Sequence, residues 1–184
     1  MTHFIGRYAA LSNYRSRGEI VKDAIEVIKS RRSIRNYTQE PVPQNVIEEI
    51  VDCARLAPTA MNDQPWDFIA VTKRELIEQI PSMLGHAEFV AKSAFVVLVL
   101  ARETCYAVED CCAATENMLI AAAAHGIGAC WVAGTKQAYG TVVARAFGAP
   151  AAHQLVALVS FGFPAEDPKV DKRPLAAVLH WEKF

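Results

Sequence analysis

Lys29, Arg31, Arg32 and Arg35 fall within the seven residues KSRRSIR of a chain whose formal net charge is only -1. Ser33 sits among them. A hydroxyl flanked by guanidinium forks suits a phosphate monoester, because each arginine can meet two oxygens at once. One phosphate would account for three or four cations, whereas a nucleic-acid duplex asks for a broader basic surface. The basic residues before Lys29 are scattered singly, with no dense block. A plainer reading is that the cluster ends a helix, where cations are favoured anyway.

A second constellation is LAPTAMNDQPWDF. Thr59, Asn62 and Gln64 follow Pro58 and precede Pro65-Trp66. Amide side chains both donate and accept, so they can read the edge of a polar heterocycle without formal charge. The prolines stiffen the loop that carries them. Equally, such residues can simply satisfy backbone groups within a loop. In GIGACWVAGTK, the small residues Ala133 and Gly134 would let backbone approach a flat ligand with N–H groups free. Lys172 and Arg173, before Pro174, form a second basic pair that could meet the first cluster or lie in an exposed turn.

Several other chemistries are excluded. GIGACW lacks the third glycine of a dinucleotide fingerprint and follows a helix rather than a strand. The glycines of GACWVAGTK are one residue too far apart for a P-loop, and its Thr-Lys order is reversed. There is no G-x-S-x-G elbow and no H-E-x-x-H pair. The five histidines lack ligand spacing, so no metal site is expected. The five cysteines are odd in number and irregularly spaced, which argues against a disulfide framework and for buried reduced thiols.

The elements that must position these residues follow from periodicity. Ile20, Val21, Ala24, Ile25 and Ile28 predict a helix from Glu19 to about Arg31, which places the basic cluster at and beyond its end. Val46, Ile47, Ile50, Val51, Ala54 and Ala57 predict a second helix stopped by Pro58. WDFIAVT reads as a strand and KRELIEQI as a short helix. AFVVLVLA, Ala94 to Ala101, reads as a strand covered on both faces. Tyr106 to His125 is the longest helix, ended by Gly126 and Gly128. ACWVAG is a short strand or turn, KQAYGTVVARAFG a helix despite Gly140, and HQLVALVSFG a strand. The alternating apolar residues of RPLAAVLHWEKF suit an edge strand reaching across to a partner. Residues 1–18 form an extension with weak periodicity, disordered or draped over a partner. Residues 19–184 form one α/β or α+β domain.

Bulk properties fit an assembled enzyme-sized domain. Hydrophobic residues make up 52% of the 184, and the mean hydropathy is +0.13. That excess points to a buried subunit interface. Residues 1–35 hold eight Lys/Arg against three Asp/Glu, and the remainder eleven against seventeen. The longest apolar run falls well short of the ~20 residues that span a bilayer. The first residues lack a continuous apolar core of a signal peptide, so a cytoplasmic location without membrane association is expected.

Taken in order, four stretches resemble the nitroreductase family of FMN-dependent oxidoreductases: IKSRRSIRNYTQEPVP, ARLAPTAMNDQPWDFIAV, AAHGIGACWVAGTK and KRPLAAVLHWEKF. The resemblance covers about residues 20–184. Its first two motifs are specific, and Ala60 stands where that family commonly has serine. It implies a mixed central sheet flanked by helices, a long central helix, and an intertwined homodimer with FMN at the interface. It implies that Arg31, Arg32, Ser33 and Arg35 hold the FMN phosphate and ribityl chain, and that Lys172 and Arg173 complete the phosphate site. Pro58, Thr59, Asn62 and Gln64 would come from the other subunit, and the backbone of Ala133 and Gly134 would approach flavin N5. NAD(P)H would donate two electrons in a ping-pong cycle to a nitroaromatic, quinone or related small molecule. No side chain is assigned acid–base catalysis. A flavin carrier without NAD(P)H turnover, or a dehalogenating or flavin-modifying branch of the same fold, is the alternative. No nucleic-acid partner is expected.

Overall fold

An unbroken apolar run can bury both its faces only inside a sheet. The strand β2 (Phe95–Arg102) does so in a computed structural model that describes residues 23–184, with Phe95 to Ala101 all buried. β1 (Trp66–Val71) pairs with one edge of β2 and β4 (His153–Gly162) with the other. β3 (Gly128–Ala133) pairs with the far edge of β4, giving the order β1-β2-β4-β3. All three pairings are antiparallel. The parallel element expected of a mixed sheet is one bridge, from Ser33 to Ala129.

Side chains alternate across this sheet, so each face receives its own helices. Phe95, Val97 and Val99 pack with α2 (Gln44–Ala54) and α4 (Ala107–Ala124). Val96, Leu98 and Leu100 pack on the opposite face with α3 (Arg74–Leu84) and α5 (Ala138–Ala146). α4 is the longest helix described and is apolar enough to be buried along much of its length, including Cys111, Ala114, Met118 and Ala122. Among the described residues, no helix is long and apolar enough to cross a membrane.

β2 residue Val99 pairs with Ala157, but Leu100 pairs with Leu155, so Val156 is an extra residue in β4. This β-bulge interrupts the pairing with β2 at Val156.

Three sequence expectations change. α3 continues past the expected end at Ile80, through Pro81, because Leu84 joins Ile77 and Ile80 in the same buried cluster. That burial outweighs the hydrogen bond that proline cannot donate. α2 stops at Ala54 rather than at Pro58, and Leu56 and Ala57 close tighter turns on the carbonyls of Cys53 and Ala54. The C-terminal tail forms no strand. Pro174 has no N–H, and Ala177, Val178 and Leu179 donate locally to Pro174 and Leu175 instead of to a ladder. Its Leu175, Trp181 and Phe184 are exposed. The first helix described, α1, spans Ala24–Ser30. Its expected start at Glu19 and the extension 1–18 lie outside the described residues.

Candidate functional site

The basic segment is placed by a helix end and then sewn onto the sheet. Asp23 caps α1 by accepting the Ile25 N–H at 2.9 Å. Arg31 leaves the helix with φ -56° and ψ 133°. Ile34 then donates its N–H to the Ala129 carbonyl of β3 at 2.9 Å. Tyr37 donates its hydroxyl to the Ile34 carbonyl at 2.6 Å and meets Ser160 Oγ at 2.8 Å. Burial pushes that phenol far above its ordinary pKa, so it stays a donor. Ile34 and Tyr37 are buried, while Ser33, Arg35 and Asn36 remain exposed. Gly128 allows the close approach, since a Cβ there would lie 2.8 Å from Ile34 Cβ.

The arginines do not share one cavity. Arg31 and Arg32 line a space of about 300 Å3, with Ile34, Leu119, Ala129 and Glu166 among the other walls. Arg31 Nε is 3.7 Å from Glu116 Oε1, yet it is buried and has no hydrogen-bond partner among the described residues. Arg32 Nη1 donates to the carbonyls of Lys29 and Arg31, both at 2.9 Å, as a helix-end cation does. Arg35 instead lines a space of about 640 Å3, beside His86, Phe89, Trp131, Ala133 and Tyr139. Its guanidinium carbon lies 5.7 Å from the centre of the Phe89 ring, and it forms no ion pair among the described residues. The cluster therefore divides into a cationic cleft and a flat aromatic one that also holds an arginine.

At the end of β3, Ala133 is exposed and its carbonyl accepts the Tyr139 hydroxyl. Gly134 corrects an expectation: its N–H is not free but donates to the Val156 carbonyl at 2.9 Å. That bond continues the β3–β4 register one step beyond the pair Ala133–Ala157. A Cβ on Gly134 would sit 2.7 Å from the Leu155 carbonyl oxygen. Glycine is thus required here by close packing on β4. We expect Gly134→Ala to lower unfolding free energy by about 1–3 kcal/mol, read as a fall in the urea midpoint with an unchanged denaturant slope.

Pro58, Thr59, Asn62 and Gln64 lie elsewhere. Thr59 Oγ1 accepts the Gln64 N–H at 3.3 Å, and Gln64 Nε2 donates to the Asn62 carbonyl at 3.3 Å. Met61, Asn62 and Gln64 have positive φ, an unusual density of left-handed backbone for non-glycine residues. Asn62 and Gln64 are exposed. The loop is pinned by Asp110, which sequence patterns did not single out. Its Oδ1 accepts the Ala60 N–H at 3.1 Å, and its buried Oδ2 has no partner among the described residues. Asp110 occupies the first turn of α4, where a carboxylate is favoured. Ala123, near the other end of α4, lines the Arg31 cavity. Arg31 itself reaches α4 at Glu116, six residues or ~9 Å along the helix from Asp110, and no hydrogen bond or ion pair among the described residues joins the loop to the arginines.

Lys172 and Arg173 are exposed, and no hydrogen bond or ion pair joins them to the first cluster. They follow Pro168, a wall of the Arg31 cavity, by four and five residues. Among the cysteines, Cys111 and Cys130 are buried, and burial pushes the Cys111 thiol up to about 12. Cys105 departs from the expectation of burial and is exposed. No group of three or more His, Cys, Asp or Glu among the described residues is placed to hold a metal ion.

Fold and cleft together define an α+β domain that presents arginines beside an aromatic cavity at one end of its sheet. The Nitroreductase family profile matches residues 28–85 and 81–163, and the chain belongs to this family. It is 35% identical over 159 residues to a Methanothermobacter thermautotrophicus protein provisionally named NADH dehydrogenase/NAD(P)H nitroreductase, across 82% of this chain and 83% of that one. A provisionally named nitroreductase from Desulfovibrio desulfuricans, solved in complex with FMN, aligns with a TM-score of 0.77 and 28% identity, over 89% of this chain and 98% of that one. An FMN-dependent nitroreductase from Clostridium difficile shares the fold at a TM-score of 0.82 and 22% identity, over 87% and 99% of the two chains.

Proposed function

We propose that this chain is an FMN-dependent oxidoreductase that takes two electrons from NAD(P)H and passes them to a small organic acceptor. The observation that carries the reading is Arg31 Nε: a buried donor without a hydrogen-bond partner, in a cavity it shares with Arg32. Glu116 is too far at 3.7 Å to hydrogen-bond this nitrogen, and a buried donor left without an acceptor is costly. The residues fit an FMN phosphate, which would be held by Arg31, Arg32 and Ser33 with Lys172 and Arg173 closing over it from the tail. The 640 Å3 cavity fits the flat end. There Ala133 supplies backbone, Phe89, Trp131 and Tyr139 exclude water, and Arg35 supplies positive charge where electrons arrive.

Bound FMN supplies the two-electron chemistry, and the protein supplies binding, orientation and electrostatics. No side chain is needed as a general base. Pro58, Thr59, Asn62 and Gln64 would come from a second copy of the chain, since no hydrogen bond or ion pair joins them to the arginines of their own. The exposed apolar residues Ile25, Ile28, Leu56 and Met61 and those of the tail support such a dimer. NAD(P)H and acceptor would occupy the same cavity in turn, giving ping-pong kinetics with nitroaromatics or quinones as acceptors.

Purified protein reconstituted with FMN should show flavin absorption that bleaches under anaerobic NAD(P)H and returns on adding an acceptor. Initial rates at several acceptor concentrations should give parallel double-reciprocal lines. A protein that cannot be loaded with FMN would sink the proposal. Bound flavin that neither NADH nor NADPH reduces would leave a carrier instead.

A further inference from the structure

Glu166 makes three hydrogen bonds to residues 131 and 130 positions earlier in the chain. Its Oε1 accepts the backbone N–H groups of Arg35 at 2.5 Å and Asn36 at 3.0 Å. Its Oε2 accepts from Asn36 Nδ2 at 2.9 Å. Two successive N–H groups aimed at one oxygen form an anion-binding concavity. Those bonds, led by that from Arg35, hold the Glu166 carboxyl below its ordinary pKa, so it is ionised at neutral pH.

Holding the segment to the sheet does not require this residue. Thr38 already donates to the Phe163 carbonyl and Ala165 to the Asn36 carbonyl, each at 2.9 Å, and Tyr37 bridges Pro164. What Glu166 adds is control of the backbone at Arg35 itself. The Arg35 side chain then reaches the aromatic cavity and rests over Phe89, with no carboxylate pairing it among the described residues. Arg35 is thus held at both ends, by a carboxylate behind its N–H and by a ring beneath its guanidinium. Glu166 also lines the Arg31 cavity, where a negative charge opposes an anionic ligand. Its placement therefore works against phosphate affinity and has its use on the Arg35 side.

We propose that Glu166 is a positioning residue: by fixing the backbone at Arg35 and Asn36, it keeps the Arg35 guanidinium in the aromatic cavity, where that charge favours reduced over oxidised flavin. The inference rests on the flavin reading above. It divides the labour of the basic segment. Arg31 and Arg32 serve the phosphate, and Arg35, through Glu166, serves the ring.

The test is a double-mutant cycle on full-length protein reconstituted with FMN. For the parent chain, Arg35→Ala, Glu166→Ala and the double variant, the dissociation constant of oxidised FMN and the midpoint potential of the bound flavin are measured. The shift of that potential from free FMN gives the ratio of affinities for reduced and oxidised FMN, and the dissociation constant then sets each affinity. Arg35→Ala should cut that ratio about tenfold, the loss of one charge-assisted contact. Glu166→Ala should cut it severalfold, and the double variant no further than Arg35→Ala alone. A purely structural role would lower thermal stability and weaken both redox forms alike, leaving the ratio unchanged. An unchanged ratio in Glu166→Ala, or an additive loss in the double variant, overturns the proposal while leaving the flavin reading intact. A parent chain that binds no FMN overturns both. Should Glu166→Ala not fold, Glu166→Gln, which keeps one acceptor oxygen, decides by the same ratio.

Discussion

Replacing Arg31 and Arg32 together by alanine should weaken FMN binding about a hundredfold or more. Each charge-assisted hydrogen bond to a phosphate oxygen contributes roughly 1.5–3 kcal/mol, and two are removed. The fold should survive. The Arg31–Glu116 pair spans 3.7 Å, with the carboxylate half exposed, and such pairs contribute little. Arg32 contributes only its bonds to the carbonyls of Lys29 and Arg31 at the end of α1. Quenching of free FMN fluorescence on titration with protein measures the affinity directly, and circular dichroism checks the fold. Lysine at both positions should recover part of the loss, since charge returns without the bidentate fork. Unchanged affinity in the alanine variant would remove the phosphate from this cavity.

The largest stability effect is expected at Phe161→Ala, about 3–5 kcal/mol. The Phe161 ring is wholly buried and lies parallel to that of Phe95, centroids 4.5 Å apart at an interplanar angle of 4°. It faces Ala129 in the β3 register, and Ala129 carries the bridge to Ser33. The cavity left by the ring would open beneath the basic segment as well as within the core. A single domain commonly has only about 5–15 kcal/mol to lose, so the urea midpoint should fall steeply. FMN loading should fall with it even at temperatures where the variant is folded. A loss below about 1 kcal/mol would mean that neighbouring side chains collapse into the gap, and that the ring does not support the site.

Much of this architecture is legible in the chain. β2 is an unbroken apolar run, and α4 is an Ala-rich helix followed by two glycines; each pattern is local and each is buried as expected. The segment from Arg31 to Tyr37 also follows a helix end, as its sequence indicates. What sequence does not display is any arrangement set by distant partners. Glu166 is an ordinary acid in a proline-rich turn until its carboxylate meets the Arg35 N–H. Gly134 looks like a residue that frees its backbone for a ligand. It has given that N–H to the Val156 carbonyl of the neighbouring strand. Likewise the close spacing of the cations conceals their division between two cavities, because Ile34 turns inward between Arg32 and Arg35. The tail alternates like a strand, yet alternation supplies no neighbour to pair with, and local turns took its donors.

The proposed sharing of the site between two copies of the chain would have a consequence for how the protein loads. With the loop from one copy and the arginines from the other, each flavin would be gripped by two chains or not fully gripped at all. Cofactor capture and chain association would then share one free energy: FMN would strengthen the pairing of chains, and pairing would strengthen the hold on FMN. Dilution of the protein would release cofactor even at constant FMN. The apparent affinity for flavin would become a property of protein concentration, and a freshly made chain would acquire its colour only as fast as it finds a second copy.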